Sequence, residues 1–353
     1  MEEVFTIPGI FEPECGGRLV SPTISYRTWG SRNLDGSNVI WVCHALTANA
    51  DVMSWWPGLF GENDLFNPKD YFIVCANVLG SCYGSTGPVS TNPDTGLPYY
   101  QTFPLITIRD MVKAHQALAA HLSIERINLV IGGSLGGQQA LEWNASEPWR
   151  FQRLVVLATN AIHSPWGVAF NESQRLAIEA DQSWLSPNDN AGMSGLLAAR
   201  SIALLSYRTY EAYAKTQSPN DDSKDPWSNQ PAASYQRYQG EKLAKRFNAW
   251  SYWYLSKAMD SHNLGRNRGK TDQVLKKITA KTMVVGIDSD LLFPLNEQNH
   301  LANVIPQATL KIIHSDFGHD GFLVEVKKLA SIIGNFMSNS DQFVDIRQDS
   351  ESN

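Results

Sequence analysis

The amino-acid sequence predicts an α/β fold in which a mostly parallel central sheet is flanked by helices and carries an inserted helical domain. Short apolar runs that resemble strands alternate with helix-like segments up to residue 160. Between residues 161 and 268 such runs are few, and helical patterning with many aromatic residues replaces them. Strand-like runs return from residue 282. Alternating β and α segments with short links are typical of a parallel sheet covered by helices.

The first part of the chain contributes four predicted strands, at residues 38–46, 71–80, 127–133 and 151–160. The first two are rich in β-branched and apolar residues and are bounded by Asn, Gly or Pro, as expected of strands buried on both faces. Helices are predicted at residues 106–122, where apolar residues recur with helical periodicity, and at 138–146.

The rest of the chain predicts an insertion followed by the end of the core. Residues 161–268 are expected to form a helical lid, and residues 1–160 and 269–338 the core. Strands are predicted at 282–287 and 309–315, followed by a helix at 322–337. The polar residues 339–353 are expected to form a flexible C-terminal tail.

Composition and charge argue against a nucleic-acid-binding protein and a membrane protein. The chain has 353 residues, of which 43% are hydrophobic, and a formal net charge of -6. No cluster of Lys and Arg is present, so neither a nucleic acid nor an anionic membrane is an expected partner. No apolar run approaches the roughly 20 residues of a membrane span. The N-terminal residues do not resemble an export signal, and the four cysteines form no CxxC pair and no cluster with His, so we expect a cytoplasmic protein without a metal site.

A glycine-rich segment contains the first candidate catalytic residue. Residues 132–136 read GGSLG, which fits the G-x-S-x-G motif, and they lie between a predicted strand and a predicted helix. This context is that of a nucleophile elbow, where a serine stands on a strained turn whose neighbours must lack side chains. The alternative is an ordinary glycine-rich turn that binds phosphate. The context favours Ser134 as the nucleophile.

A serine hydroxyl needs a base, and in this architecture the acid and then the histidine follow it in the chain. Three histidines come late enough, at positions 300, 314 and 319. His319 lies in a loop between the last predicted strand and the last predicted helix, which favours it as the base. The acid is expected after the strand at 282–287, where Asp288 and Asp290 both fit by spacing.

An acyl-transfer site also needs two backbone N–H groups that stabilise the developing oxyanion. One is expected from Leu135, which directly follows the nucleophile, and the other from Leu46 in the loop after the first central strand. His44 lies in the same loop, and we interpret it as a structural residue that shapes the loop.

Beyond these motifs the sequence resembles the homoserine O-acyltransferase family of α/β-hydrolase-fold enzymes over roughly residues 10 to 335. The matching segments are HALTANAD, NVLGSCYGSTGPVSTNPDTGLPY, FPLITIRDMVKAHQALAAHLSI, GGSLGGQQALEW, WGVAFNESQR, YQGEKLAKRFNAWSYWYLSKAMDSHNLGR, DSDLLFP and GHDGFL. The resemblance implies an α/β-hydrolase fold and selects Asp290 as the acid. It also implies that Arg175 binds the substrate carboxylate, that Asp320 binds its ammonium group and that Tyr207 reaches the site. Where the family often carries Met, this chain has Leu135 and Gln138, and Gln138 is expected to matter little.

The resemblance further implies the reaction. An acyl group would pass from acetyl-CoA to Ser134 and then to the hydroxyl of L-homoserine, in a step of methionine biosynthesis, with no permanently bound cofactor. A homodimer formed through the lid is also implied. Succinyl-CoA as donor and L-serine as acceptor stay open, as does a carboxylesterase. A binding module without catalysis is the third class, and the ordered Ser, Asp and His residues argue against it.

Overall fold

The computed structural model describes residues 2–219 and 230–338, so the predicted tail at 339–353 lies outside the described residues. The strands are β1 Glu2–Thr6, β2 Ile10–Phe11, β3 Leu19–Val20, β4 Thr23–Trp29, β5 Val39–Cys43, β6 Phe72–Ala76, β7 Ile127–Gly133, β8 Phe151–Leu157, β9 Lys281–Ile287 and β10 Ala308–Ile313. The six strands that the sequence predicts correspond to β5 to β10, with ends that differ by a few residues.

The central sheet has eight strands within the described residues, in the order β1-β4-β6-β5-β7-β8-β9-β10. Neighbouring strands from β6 to β10 run parallel, whereas β4 and β1 extend the sheet antiparallel at one edge. The mostly parallel sheet is therefore confirmed, and the antiparallel extension is a feature that the sequence reading missed. The carboxyl ends of the parallel strands share one edge, which is where ligands bind in open α/β sheets.

Strand β5 illustrates why the parallel strands are continuously apolar. All five residues are buried, with Val39, Trp41 and Cys43 in one hydrophobic cluster and Ile40 and Val42 in the other. Successive side chains of a strand point to opposite faces. Both faces of the sheet are therefore covered, and an alternating polar pattern would leave polar groups buried.

The helices are α1 Val52–Trp55, α2 Ile108–His121, α3 Leu135–Ser146, α4 Pro165–Glu179, α5 Met193–Tyr207, α6 Tyr210–Thr216, α7 Pro231–Ala244, α8 Ala249–Asp260, α9 Thr271–Leu275, α10 Leu295–Val304, α11 Gly321–Val324 and α12 Val326–Ser338. The predicted helix at 106–122 is α2, which begins after a capping box formed by Thr107 and Asp110. The predicted helix at 322–337 is divided at Glu325 into α11 and α12. None of the helices in the described ranges is both long and apolar enough to cross a membrane.

Helices α4 to α8 occupy the chain between β8 and β9. Helix α4 packs on α5 and α8, and α5 packs on α7. Their buried residues, such as Leu196 and Trp250, belong to the same hydrophobic cluster as Trp41 and Val130 of the sheet. Within the described residues, the helical segment therefore shares one hydrophobic cluster with the sheet. The boundaries at residues 160 and 269 stay a prediction.

Candidate active site

Ser134 occupies the turn between β7 and α3. Its φ of 57° and ψ of -125° are unusual for a residue with a side chain. The turn is held by two hydrogen bonds: the Ser134 amide donates to the Leu157 carbonyl at 2.9 Å, and the Thr159 hydroxyl donates to the Ser134 carbonyl at 2.9 Å. The strained conformation is thus fixed by β8 and the loop that follows it.

Two of the neighbouring glycines are required by close backbone contacts. A Cβ on Gly136 would lie 2.0 Å from the Cys43 carbonyl oxygen, and a Cβ on Gly132 would lie 2.4 Å from the Gly136 backbone. The Cys43 backbone cannot move aside, because β5 is paired with β7 in the sheet. Glycine at these positions therefore lets α3 start close to the sheet and leaves Ser134 at its edge.

The two candidate acids have different partners. His319 Nδ1 lies 2.7 Å from Asp290 Oδ2, and both side chains are almost completely buried. Asp290 Oδ1 accepts hydrogen bonds from the amides of Leu292 and Phe293, at 2.8 and 2.9 Å. Asp288 instead lies 2.7 Å from His314 Nδ1, and the His314 side chain is 86% exposed. The geometry therefore pairs His319 with Asp290.

Aromatic rings hold the imidazole of His319. Phe293 stacks on it with ring centroids 5.2 Å apart, and the Phe322 and Tyr207 rings lie at 5.4 and 5.5 Å. These contacts restrict rotation of the ring, while the Asp290 carboxylate fixes which nitrogen carries the hydrogen. Nε2 is left as the basic atom.

Opposing effects act on the pKa of His319. Burial disfavours the charged imidazolium and lowers the pKa, but the carboxylates of Asp290 and Asp320 favour it. The carboxylates prevail, so the pKa is raised above the usual value of 6.5. An imidazole in this setting can both accept a hydroxyl proton and hold it as a stabilised cation.

The loop after β5 lies beside the elbow. His44 is fully buried, its Nε2 accepts a hydrogen bond from the Val78 amide at 3.2 Å, and burial lowers its pKa to about 4. It is therefore a neutral residue that holds the loop, as we interpreted it. Leu46 follows in that loop, and Leu135 begins α3, whose first amides have no carbonyl partner within the helix.

Ser134 and His319 line one cavity of about 470 Å³ at the carboxyl edge of the sheet, a size usual for small-molecule sites. The cavity is also lined by Leu46, Arg200, Tyr207 and Asp320. Asp320 forms an ion pair with Arg208 at 2.9 Å. Leu135 and Arg175 do not line this cavity, and Asp290 contacts it only through His319; the other predicted site residues line it.

The expectation that Arg175 faces the substrate needs correction. Its side chain is 1% exposed and does not line the cavity. The guanidinium donates to Asp260 at 2.6 Å and to Glu172, and it also donates to the Ser256 hydroxyl at 3.0 Å. These contacts join α4 to α8, so the residue forms a buried ion pair within the helical segment.

Arg200, rather than Arg175, is the arginine beside Tyr207 in the cavity, and it was not predicted from the sequence. It lines the cavity, and its guanidinium carbon is 5.4 Å from the centroid of the Tyr207 ring. Arg200 and Tyr207 are seven residues apart on α5, which places both on one face of the helix. That spacing was the signal available in the sequence: a helix that presents Tyr207 to the site also presents Arg200.

A chain of buried polar side chains connects the elbow helix to the helical segment. Gln138 Nε2 lies 3.2 Å from His163 Nδ1, His163 Nε2 lies 3.2 Å from Asn171 Nδ2, and Asn171 donates to Asp260 at 2.8 Å. Gln138 also donates to Asn160 at 3.2 Å. The expectation that Gln138 matters little is therefore wrong with respect to structure, since its buried amide joins α3 to α4 and α8.

Among residues 2–219 and 230–338, no group of three or more His, Cys, Asp or Glu side chains could hold a metal ion.

Comparisons with known proteins identify the family of this chain. The α/β hydrolase fold family matches residues 38–326. The homoserine O-acetyltransferase of Cyclobacterium marinum is 47% identical to the chain, with 95% of each sequence covered. A crystal structure of homoserine O-acetyltransferase from Staphylococcus aureus is 27% identical, covers 98% of this chain and 97% of that one, and has a TM-score of 0.81.

The fold is shared with hydrolases as well. An acetylester hydrolase from Corynebacterium glutamicum superposes with a TM-score of 0.85 over 96% of both chains, at 22% identity. Likeness at that level reflects the fold alone, whereas identity near one half over almost the whole chain defines the family. The chain belongs to the α/β-hydrolase fold and, within it, to the homoserine O-acetyltransferase family.

Proposed function

We propose that this protein is a homoserine O-acetyltransferase that carries the acetyl group of acetyl-CoA to the hydroxyl of L-homoserine through an acyl-Ser134 intermediate. The observation that carries the proposal is the content of one cavity. Ser134 and the His319–Asp290 pair lie there together with Arg200 and Asp320, one cation and one anion suited to a zwitterionic amino acid.

In the first half-reaction, Ser134 Oγ attacks the carbonyl carbon of the thioester while His319 Nε2 takes the hydroxyl proton. Asp290 holds the imidazole and stabilises its charge. The amides of Leu46 and Leu135 donate to the oxyanion of the tetrahedral intermediate. The C–S bond then breaks, the CoA sulfur receives the proton from His319, and an acetyl ester remains on Ser134.

In the second half-reaction, L-homoserine enters after CoA has left. Arg200 binds its carboxylate, Asp320 its ammonium group, and Tyr207 packs beside them. His319 takes the proton of the homoserine hydroxyl, whose oxygen attacks the acyl carbon. The Ser134 ester bond breaks, Ser134 recovers the proton, and O-acetyl-L-homoserine leaves. The mechanism is therefore ping-pong.

The roles of the two arginines can be separated by substitution. Arg200→Gln removes a charged donor from the cavity, so the KM for L-homoserine should rise by about ten-fold or more with little change in Tm. Arg175→Gln leaves the Asp260 carboxylate without its cation and should destabilise the fold by about 3 kcal/mol. Steady-state kinetics and thermal unfolding of both variants test this. A KM effect confined to Arg175→Gln would contradict it.

The assay that tests the whole proposal is release of CoA by purified protein. Acetyl-CoA and succinyl-CoA are each paired with L-homoserine and with L-serine. Turnover that requires acetyl-CoA and L-homoserine supports the proposal, whereas preference for another pair identifies the other donor or acceptor. CoA release that is independent of any amino acid would overturn a transferase.

A carboxylesterase is the second candidate, because hydrolysis of an ester uses the same serine and the same His319–Asp290 pair at one cavity. The two enzymes differ in which nucleophile attacks the acyl-serine, water or an amino acid hydroxyl. Helices α5 and α7 contribute to the cavity wall, and Ser134 is only 5% exposed, which limits the access of water to an acyl group there. Hydrolysis of p-nitrophenyl acetate that is fast and unaffected by L-homoserine would favour the esterase.

A homodimer and a cytoplasmic location belong to the same proposal. Apolar side chains that face solvent on the helical segment support a dimer, and they include Leu176, Leu205, Tyr210 and Tyr238, each more than half exposed. Association would remove such apolar side chains from water, which is favourable. Sedimentation equilibrium would distinguish a dimer from a monomer.

No permanently bound cofactor enters the mechanism, because the acyl donor is itself a substrate.

The pH dependence of acylation follows from the pKa of His319. Only the neutral imidazole can accept the Ser134 proton, so the rate of the CoA burst should fall as the pH drops through the raised pKa, above 6.5. Asp320→Asn removes one carboxylate that raises this pKa, and the acid limb should move to lower pH. The burst is measured without acceptor, so that loss of homoserine binding does not contribute. An acid limb that moves to higher pH would contradict the assignment.

A further inference from the structure

The charges around the cavity are unevenly distributed. Arg200, Lys242 and Arg246 line it, and the only carboxylate among the lining residues of the described chain is Asp320, which pairs with Arg208. The protein as a whole has a formal net charge of -6. The cavity is thus a local positive region on an acidic protein, which suits an anionic ligand.

The three cations lie at different depths. Ser134 and His319 at the inner end are about 5% exposed, and Arg200 beside them is half-buried. Lys242 and Arg246, at the end of α7 and just after it, are exposed and form the rim. Arg200 is proposed to bind the carboxylate of L-homoserine. Lys242 and Arg246 at the rim therefore have no proposed role with that substrate.

The rim is also built around a fixed guanidinium. Arg246 Nη1 donates to the Thr47 carbonyl, in the loop that follows β5, and to the Tyr83 hydroxyl at 2.6 Å. This holds the end of α7 against the sheet edge. Lys242, four residues earlier and hence one turn away, makes no ion pair within the described part of the chain, so its ammonium group is available to a ligand.

The geometry points to Lys242 and Arg246 as the phosphate-binding end of the acyl-donor site. The inference rests on the proposed function and deepens it. The thioester lies at Ser134, the apolar wall formed by Ala48, Trp55 and Leu323 packs along the pantetheine arm, and the phosphates of the nucleotide end stay at the rim. Phosphate groups are costly to bury, so an exposed rim with two cations suits them better than the cavity interior.

Lys242→Glu tests the inference, with Lys245→Glu as the matched control. Lys245 directly follows α7 and is exposed, but it does not line the cavity. Two donors are compared, acetyl-CoA and S-acetyl-N-acetylcysteamine, a thioester without phosphates. Lys242→Glu should raise the KM for acetyl-CoA on the order of ten-fold, because attraction becomes repulsion. Its kcat/KM with the phosphate-free thioester should match that of the unmodified protein.

Several outcomes would overturn the inference. One is an unchanged KM for acetyl-CoA in Lys242→Glu. A second is an equal loss of kcat/KM with acetyl-CoA and with the phosphate-free thioester. A third is a rise of the KM for acetyl-CoA in Lys245→Glu that equals the rise in Lys242→Glu. Added salt is a further readout, because screening should reduce the difference between Lys242→Glu and the unmodified protein. Failure of the proposed function is distinct, since it would appear in the unmodified protein as no acetylation of L-homoserine with either donor.

Discussion

Ser134→Ala is expected to lower kcat for acetyl transfer by about 10⁴-fold or more, because the acyl group then has no oxygen to bind. The fold should be unaffected. The Ser134 side chain makes no capping hydrogen bond to α3, and alanine occupies the same backbone conformation at similar cost. The variant should therefore retain its Tm while CoA release disappears.

Two measurements check the Ser134 prediction. Mass spectrometry after mixing with acetyl-CoA should detect one added acetyl group on the unmodified protein and none on the variant. Ser146→Ala is the matched control, since it makes the same exchange at the exposed far end of α3. Residual turnover of Ser134→Ala near the level of this control would rule out Ser134 as the nucleophile.

The second large effect is expected from Asp290→Asn, with a loss of about 10⁴-fold in kcat. The new amide can keep its oxygen toward the amides of Leu292 and Phe293, which places the NH₂ group toward His319 Nδ1. An NH₂ group can only donate there, so Nδ1 becomes an acceptor and the proton moves to Nε2. The imidazole then cannot accept the Ser134 proton.

Asp288→Asn is the control that the chain itself offers. Asp288 lies two residues earlier and pairs with an exposed histidine, His314, outside the cavity. Its replacement should leave kcat within about two-fold of the unmodified value, as is usual for surface ion pairs of small energy. Equal losses from both variants would mean that the loop as a whole is needed, rather than the carboxylate of Asp290.

The elbow could be predicted from the sequence because its cause is local. The turn needs glycines at fixed positions around the serine, and β7 and α3 on either side have clear apolar patterns. Asp288 and Asp290 could not be separated by spacing, since both follow β9 closely. Only the three-dimensional path of the loop sends one carboxylate inward to His319 and the other toward His314.

The arginine that we propose to bind the substrate carboxylate was harder to predict from the sequence. The helical segment contains several arginines, and their orientation depends on how α4, α5 and α8 pack, which a single sequence does not encode in any short motif. Arg175 on α4 faces α8, whereas Arg200 on α5 faces the cavity. Arg200 lies on the same face of α5 as Tyr207, so it could be predicted to line the site once α5 is assumed to lie over that site.

The antiparallel edge of the sheet was missed for a different reason. Strand β1 is largely exposed and includes Glu2 and Glu3, and β4 is only partly apolar. Such strands lack the continuous hydrophobic pattern that identified β5 to β10. Charged residues on an edge strand discourage pairing with other chains. The charges of Glu2 and Glu3, which made β1 hard to predict, are therefore suited to an edge strand.

The chain of buried polar contacts from Gln138 to Asp260 limits the exchange of the helical segment between this enzyme and its relatives. A helical segment transplanted from a relative with another specificity need not carry a partner for the Gln138 amide that α3 presents to His163, and an unmatched buried group costs about 1 to 3 kcal/mol. The helical segment is therefore poorly suited to exchange as a cassette. New substrate range is more accessible through point changes at the cavity wall, such as at Arg200 or Lys242, which leave that chain untouched.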